Sequence, residues 1–359
     1  MANIVILGAG VMGSALASVA AENNDVSLIG SPLDDHFVGN IKLGKPHPTL
    51  QHKLPINIAA TLASEVSRDI MQNADVIVIG VSSPGVAWAL DTIKTYEASP
   101  GILALVTKGL VAGANNQLAP ATYAQTLNAD LTTPNARIVG IGGPCIAREL
   151  ALGYHTRVCF ASHDITVANQ LRDRLKSNYY HIATHTDFTG LEACAALKNF
   201  MCIGVSTMFT AHSLGNSHAK NPLAALFNQA VLEISQLSRW IKQDAKQDSE
   251  ESPHVASMAQ DLAFDLAGMG DLHVTVGGGR NSLLGRHLGQ GKILNDVLQT
   301  DMPNTTVEGV DTARQLLPGF KYACEQGRLN EQDFPLTRSI LDVVEHEEPF
   351  SFDFTSLPG

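Results

Sequence analysis

The feature that most constrains this chain is the glycine pattern Gly8-x-Gly10-x-x-Gly13, which stands between two segments of different character. The β-branched run Ile4–Leu7 precedes it, and the small-residue run Ser14–Ala21 follows it. Glycines at these positions permit a tight turn and a close backbone approach, and the following helix offers its unpaired N–H groups to a pyrophosphate. The sequence therefore predicts a dinucleotide-binding strand, loop and helix. The loop residues predicted at the cofactor are Gly8, Ala9, Gly10, Val11, Met12 and Gly13.

The second apolar run, Val26–Ile29, ends at Gly30-Ser31-Pro32. An acidic residue in this place would bind the ribose 2′-hydroxyl of NAD, and an arginine nearby would mark the 2′-phosphate of NADP. The chain has neither there, and we interpret the slightly later Asp34 and Asp35 as turn residues. The sequence leaves NAD and NADP open as cofactors.

Short apolar runs alternate with longer amphipathic stretches through the first half of the chain. The runs are Ile4–Leu7, Val26–Ile29, Val76–Val81, Ile102–Val106, Arg137–Ile141 and Val158–Ala161. This alternation is typical of βαβ units, and strands that are apolar at nearly every position are typical of a sheet covered on both faces. We predict an α/β protein with an N-terminal Rossmann-type doubly wound parallel sheet.

Helical patterns replace the strand patterns from about Asp187 onward. The predicted helices are Leu191–His212, Leu223–Lys242, Val255–Gly268, Val310–Gln326 with an interruption at Pro318, and Leu336–Glu345. The polar stretch Gln243–His254 is interpreted as a solvated loop. We therefore predict a dinucleotide-binding domain over residues 1–187 and an all-helical substrate-binding domain over residues 188–359.

The composition restricts partners and location. The chain carries 24 Lys and Arg against 35 Asp and Glu, a net charge of −11, which disfavours nucleic acid as a partner. It starts without a basic, apolar leader, and we find no apolar span of about 20 residues, so we expect a cytoplasmic protein without an integral membrane segment. Five cysteines without a C-x-x-C pair and 13 histidines without a ligand pattern predict no metal site.

Six further motifs carry charged or amide side chains. They are Thr107-Lys108-Gly109, Gly143–Glu149, Ala196-Leu197-Lys198-Asn199, Gly268–Leu272 with Thr275, Gly277–Asn281, and Val307-Glu308-Gly309-Val310. In this order and at these spacings the chain resembles the NAD(P)-dependent glycerol-3-phosphate dehydrogenases from residue 3 to about residue 315. Gly44-Lys45-Pro46-His47-Pro48 and Gly279–Gly285 are closer to the archaeal-type branch of that family.

The resemblance implies roles for single residues. The implied catalytic residues are Lys198, which acts at the substrate carbonyl, Lys108 beside it, and Asp271. The implied substrate-binding residues are Asn199, Thr275, Arg280 and Asn281, of which Arg280 and Asn281 hold the phosphate. Besides the glycine loop, the implied cofactor-binding residues are Lys108, Ala147, Arg280 and Glu308.

Elementary chemistry supports these roles. Hydride reduction of a ketone places negative charge on its oxygen, so a proton donor must lie there, and the reverse reaction needs a base. Lys198 can serve as both, and its apolar helix makes a buried charge costly unless it has a partner or a function. Arg280 offers a planar fork to a dianion, although a surface arginine beside a flexible glycine loop is the alternative. Asn199 and Asn281 also suit helix or turn positions, and Glu308 suits a helix start.

The predicted function is reversible hydride transfer between NAD or NADP and dihydroxyacetone phosphate, which supplies glycerol 3-phosphate for glycerophospholipid synthesis. Two alternatives stay open: a related dehydrogenase of another polyol phosphate or a hydroxy acid, and a non-catalytic NAD(P)H sensor. A sensor would need only the glycine loop, so the presence of every implied catalytic residue argues against it. The long apolar helices of the second domain predict a homodimer.

Overall fold

A computed structural model describes residues 1–113, 117–131, 134, 137–211, 213–214, 217–246 and 261–357. By its internal contacts the chain divides into two compact units, Met1–Lys108 with Ala121–Leu191 and Gly109–Pro120 with Glu192–Gly359. The segment Gly109–Pro120 thus groups with the second unit, whereas the sequence predicts a single boundary between residues 187 and 188. The reason is that its two strands pack against helices of the second unit.

The first unit is built on an eight-stranded sheet. The strands of the chain are β1 (Asn3–Leu7), β2 (Asp25–Ile29), β3 (Ile58–Thr61), β4 (Val76–Ile79), β5 (Ile102–Leu105), β6 (Leu110–Ala112), β7 (Leu118–Pro120), β8 (Ile138–Gly142), β9 (Thr156–Ala161), β10 (Tyr180–His185), β11 (Ser213–Leu214) and β12 (Ser217–His218). The sheet has the order β10-β9-β8-β5-β4-β1-β2-β3. From β3 to β8 every neighbouring pair is parallel, and this is the strand order of a doubly wound dinucleotide-binding sheet.

The predicted Rossmann-type sheet is confirmed, with two differences. Strands β9 and β10 are parallel to each other, but β9 is antiparallel to β8, so the sheet is mixed at that edge. Strand β3 was not predicted, because Ile58–Thr61 contains only one large apolar residue. Every residue of β4 and β5 is buried, as expected for central strands.

Helices of the first unit are α1 (Val11–Ala20), α2 (Asp35–Lys42), α3 (Arg68–Gln72), α4 (Val86–Thr95), α5 (Ala121–Asn128), α6 (Ala147–Ala151) and α7 (Ile165–Leu175). Those that follow are α8 (Phe188–Ala211), α9 (Lys220–Lys246), α10 (Asp271–Gly277), α11 (Arg280–Gly289), α12 (Leu294–Asp296), α13 (Glu308–Glu325) and α14 (Pro335–His346). The second unit is helical, as predicted, apart from the hairpins β6/β7 and β11/β12.

Three details of the helix prediction were wrong: one boundary, one helix and one interruption. Helix α9 continues to Lys246, four residues beyond the predicted end at Lys242. Near this end the buried Asp244 accepts a hydrogen bond from Arg328. Of the predicted loop Gln243–His254, residues 247–254 lie outside the described part of the chain. Of the predicted helix Val255–Gly268, residues 255–260 also lie outside it, and the rest forms a 3-10 turn and a π-turn. Helix α13 continues through Pro318. The short helices α10 and α11, separated by glycines, were missed.

Helix α8 is long and apolar enough, by length and composition, to cross a membrane, which the sequence analysis overlooked. Of its most apolar 18-residue window, 89% is buried in the structure. Glycines form close contacts along it: a Cβ on Gly204 would lie 2.7 Å from Leu336 on α14. These are the properties of a core helix.

Candidate active site

The glycine loop joins β1 to α1 in a conformation that requires glycine at two of its positions, 8 and 13. Gly8 has φ +115° and its N–H donates to the carbonyl oxygen of Ile29 at 2.7 Å. A Cβ on Gly13 would lie 2.0 Å from the Gly8 oxygen, whereas a Cβ on Gly10 would meet nothing within 4 Å. Helix α1 begins at Val11 without a side-chain cap. The loop therefore offers an open approach and helix N–H groups, the two requirements of a pyrophosphate cradle.

Side chains from outside the loop hold its alanine. The Ala9 N–H donates to Oδ2 of Asp34 at 3.0 Å, and the same oxygen accepts from the N–H of Ser31 at 2.8 Å. Nε2 of the buried His47 lies 3.1 Å from the Ala9 carbonyl oxygen. Asp34 was predicted to be only a turn residue, and no role was predicted for His47. A glycine-flanked loop has buried backbone N–H and C=O groups that must be hydrogen-bonded, and this requirement could have predicted side-chain partners such as Asp34 and His47.

Lys108 follows β5, at the same carboxyl-terminal edge of the sheet as the glycine loop. Two hydroxyls fix the preceding residue, Thr107: its own Oγ1 donates to the Val81 oxygen, and Thr122 donates to the Thr107 oxygen at 3.1 Å. Ser83 donates to the carbonyl oxygen of Lys108 at 3.3 Å. The main chain that carries Lys108 is therefore held at the edge where ligands of such sheets bind.

Ala147 begins helix α6, which packs on α1 behind the glycine loop. It is 8% exposed and belongs to the core cluster of the first unit. Gly143, four residues earlier, directly follows β8 and has φ +112°, at the same sheet edge. Only a small part of Ala147 is thus open to a cofactor.

The second unit holds a buried ion pair. Nζ of Lys198 on α8 donates to Oδ1 of Asp271 at 2.9 Å and to Oγ1 of Thr275 at 2.8 Å. The Thr275 hydroxyl in turn donates to the main-chain oxygen of Asp271 at 2.6 Å. The lysine and aspartate side chains are 9% and 6% exposed. Three residues predicted for one site are brought together, although the lysine lies on α8 and the other two on α10.

A network of amides joins α8, α11 and α13 next to this ion pair. Nδ2 of Asn281 donates to Oδ1 of Asn199 at 3.1 Å, and Nδ2 of Asn199 donates to Oε2 of Glu308 at 2.9 Å. Oδ1 of Asn281 accepts the main-chain N–H of Gly309 at 2.9 Å. Both asparagines are buried. They are bonded to each other and to α13, so they fix the positions of three helices around Lys198.

Arg280 stands at the start of α11, after three glycines. Its Nη2 lies 3.3 Å from Oε1 of Glu308, and the two side chains are 53% and 42% exposed. A Cβ on Gly277, Gly278 or Gly279 would meet nothing within 4 Å, and Gly279 has φ +98°. An exposed ion pair of this kind is worth little on its own. The guanidinium is therefore held only by an exposed ion pair, beside backbone that is open to a ligand.

Glycines set the spacing of the helices that carry these residues, and sequence analysis missed this. A Cβ on Gly285 of α11 would lie 2.3 Å from the Ile203 oxygen, and one on Gly309 of α13 would lie 2.5 Å from the Asn199 oxygen. Both helices therefore touch the backbone of α8 directly. This close approach brings Asn281 and Glu308 within hydrogen-bond distance of Asn199.

A chain of buried hydroxyls runs beside the same contact. Oγ of Ser206 on α8 donates to Oγ of Ser282, which donates to the Val276 oxygen at the end of α10. The thiol of Cys202 lies 3.6 Å from the Ser206 hydroxyl, and burial raises the pKa of that thiol to about 11. The thiol therefore stays protonated at neutral pH and has no nucleophilic role here.

The fold and these sites define an NAD(P)-dependent dehydrogenase: a doubly wound sheet with a pyrophosphate loop, and a helical unit with a buried lysine. The N-terminal and C-terminal models of the NAD-dependent glycerol-3-phosphate dehydrogenase family match residues 3–168 and 187–352. The chain is 32% identical to the NADP(+)-dependent glycerol-3-phosphate dehydrogenase of Archaeoglobus fulgidus over 82% of each chain. This chain belongs to the glycerol-3-phosphate dehydrogenase family.

More distant relatives agree over nearly the whole length. The glycerol-3-phosphate dehydrogenase [NAD(P)+] of a Listeria monocytogenes strain is 29% identical over 95% of this chain and 91% of its own. The fold is that of the solved glycerol-3-phosphate dehydrogenase from Coxiella burnetii, with TM-score 0.73, 21% identity and coverage of 97% and 96%. The solved glycerol-3-phosphate dehydrogenase from Plasmodium falciparum has the same fold, with TM-score 0.76, 17% identity and coverage of 97% of this chain and 92% of that one.

Proposed function

We propose that this protein is an NAD(P)-dependent sn-glycerol-3-phosphate dehydrogenase, which interconverts dihydroxyacetone phosphate and glycerol 3-phosphate and so supplies glycerophospholipid synthesis. The observation that carries the proposal is the buried ammonium of Lys198, held by Asp271 and Thr275. A buried charge is costly, and Asn199, next to this lysine in the chain, is bonded to Glu308, which pairs with the exposed Arg280. An anionic substrate is the best explanation for this arrangement.

The residues of the first unit fit a dinucleotide. Gly8–Gly13 and the N-terminus of α1 would hold the pyrophosphate, and Lys108 and Ala147 lie at or behind the sheet edge where the rest of the cofactor binds. When bound, the cofactor supplies or takes the hydride. The proposal includes both NAD and NADP as cofactors, because Asp34, the first acidic residue after β2, is bonded to backbone N–H groups.

In the proposed mechanism Lys198 moves the proton. Its Nζ donates a proton to the carbonyl oxygen of dihydroxyacetone phosphate as negative charge develops there, and takes the hydroxyl proton in the reverse direction. Asp271 and Thr275 fix the position of this nitrogen. The catalytic contribution of such a positioned acid is about a hundredfold to ten-thousandfold.

Arg280 is the proposed phosphate ligand. Its guanidinium can offer two parallel N–H groups to two phosphate oxygens, while Glu308 holds it from the side at 3.3 Å. Asn199 and Asn281, which are bonded to each other and to α13, are further proposed substrate-binding residues together with Thr275. Glu308 and Arg280 also belong to the proposed cofactor contacts.

The remaining parts of the proposal concern assembly and location. We propose a cytoplasmic homodimer, supported by the long apolar helices of the second unit and the acidic composition. Sedimentation equilibrium of the purified protein decides the assembly, since a monomer mass at micromolar concentration would contradict it.

The test of the function is the oxidation of NADH and of NADPH by purified protein with dihydroxyacetone phosphate, against unphosphorylated dihydroxyacetone. Turnover that depends on the phosphate supports the proposal and gives the cofactor preference. No turnover with either cofactor, in a protein that still binds dinucleotide, would contradict it and favour another polyol phosphate or a sensor.

A further inference from the structure

His47 is a fully buried histidine in the segment that follows α2, and it is not among the residues assigned above to the substrate or the cofactor. Its ring stacks on Phe37 of α2, with centroids 4.5 Å apart and an interplanar angle of 16°. Its Nδ1 lies 3.2 Å from the main-chain nitrogens of Thr49 and Leu50. A ring held by stacking and by two bonds to Nδ1 has a fixed position, so the contact made by Nε2 is well defined.

The bonds determine the tautomer. Because both groups facing Nδ1 are N–H donors, this nitrogen is an acceptor and carries no hydrogen. The neutral ring then carries its hydrogen on Nε2, which donates to the Ala9 carbonyl oxygen at 3.1 Å. His47 therefore bonds the backbone of the glycine loop directly.

Asp34 holds the same alanine from its other side. Its Oδ2 accepts the Ala9 N–H at 3.0 Å and the Ser31 N–H at 2.8 Å. The alanine thus has its N–H and its carbonyl oxygen bound by side chains 25 and 38 residues further along the chain. The carbonyl oxygen also accepts from the hydroxyl of Ser14 at the start of α1 at 3.0 Å. Glycines flank the alanine on both sides, and glycine loses more conformational freedom on ordering than other residues. Bonds from Asp34 and His47 therefore add to the local bond of Ser14 in keeping the loop in one conformation.

We propose that His47 and Asp34 are positioning residues for the dinucleotide, which hold the Ala9 segment so that the loop is ordered before the pyrophosphate binds. Pre-ordering saves the cost that binding would otherwise pay, so losing either bond weakens dinucleotide affinity. Asp34 then serves the loop and not the ribose. The inference rests on the proposed use of NAD or NADP, but it concerns binding and does not depend on dihydroxyacetone phosphate as substrate.

Two substitutions at His47 separate the bond to the loop from the bonds of its own turn. In His47→Gln the side-chain NH2 can reach the place of Nε2 and keep the bond to Ala9. In His47→Asn the shorter side chain keeps an acceptor for Thr49 and Leu50 but loses Ala9. Titration of full-length protein with NADH, followed by cofactor fluorescence, should give a dissociation constant about tenfold higher for the asparagine variant.

The glutamine variant should stay within about threefold of the parent protein. A thermal melt of each variant establishes that it is folded before the titration. Equal dissociation constants for the two variants, or tighter binding by the asparagine variant, would overturn the role of His47.

Asp34→Ala tests the other bond, with the neighbouring exposed Asp35→Ala as its matched control. Loss of a positioning residue should raise the dissociation constants for NADH and for NADPH by the same factor, about tenfold. The control variant should have the dissociation constants of the parent protein. Asp34→Asn keeps an acceptor oxygen and should recover most of the affinity for both. Weakening of NADH alone would identify Asp34 as a ribose ligand and overturn the proposal, as would unchanged binding. None of these outcomes depends on turnover, so they stay separate from a failure of the proposed reaction.

Discussion

The ammonium nitrogen of Lys198 lies 2.9 Å from Oδ1 of Asp271, and neither side chain is more than a tenth exposed. Removing one partner of such a buried pair leaves the other charge without compensation, which costs about 3–5 kcal/mol of stability. Thr275 accepts a second bond from this nitrogen at 2.8 Å, so two side chains hold the ammonium in place before any substrate arrives. This arrangement gives the first prediction.

We expect Lys198→Ala to lower turnover by about a thousandfold while the dissociation constant for dinucleotide stays unchanged, because in the proposed mechanism Lys198 moves a proton and does not bind the cofactor. Steady-state kinetics and a fluorescence titration measure the two quantities. The control is Lys292→Ala, which breaks only a partly exposed pair with Asp301 and should act like the parent. Turnover of the Lys198 variant near the parent value would remove this lysine from the mechanism.

We expect Arg280→Lys to raise the Michaelis constant for dihydroxyacetone phosphate by about tenfold or more, because a lysine cannot offer two parallel N–H groups. Arg314→Lys is the matched control, since both arginine side chains are 53% exposed and each is paired with one carboxylate. The measurement compares the Michaelis constants of each variant for dihydroxyacetone phosphate and for unphosphorylated dihydroxyacetone. An equal change with both would show that Arg280 does not recognise the phosphate.

We expect Gly309→Ala to lower the free energy of unfolding by about 1–3 kcal/mol, because the new methyl group would meet the Asn199 oxygen at 2.5 Å. The displaced α13 would also pull Glu308 away from Asn199, so activity should fall with stability. Gly39→Ala is the control within α2, where a Cβ meets nothing within 4 Å. That variant should gain about 0.5–1 kcal/mol in urea denaturation. Destabilisation by both changes alike would contradict the close-packing argument.

The sequence predicted the parts of the molecule whose signal is local. The glycine loop stands between a strand and a helix within a few residues, and Lys198 is conspicuous because it interrupts an apolar helix. The bonds of Ala9 to Asp34 and His47 were not predictable in this way, since they join residues 25 and 38 positions apart whose spacing carries no periodic pattern. Gly309 was likewise visible only as part of a motif, because its contact with Asn199 depends on how two helices cross.

The pKa of His47 is lower in the folded protein than its ordinary value. Burial lowers this pKa from 6.5 and the neighbouring His36 lowers it further, while the bond to Ala9 and the charge of Asp34 oppose the shift. Below pH 6.5 the unfolded chain therefore binds more protons at this residue than the folded chain does. The stability supplied by the neutral ring is complete above that pH and is lost as the pH falls below it.

We therefore expect the free energy of unfolding of the parent protein to fall more steeply from about pH 8 to about pH 5 than that of His47→Gln, whose side chain does not titrate. Urea denaturation at several pH values measures both curves, and the difference between them should narrow or change sign at acid pH. If the two curves run parallel, His47 does not titrate differently in the folded chain, and the neutral donor to Ala9 loses its support.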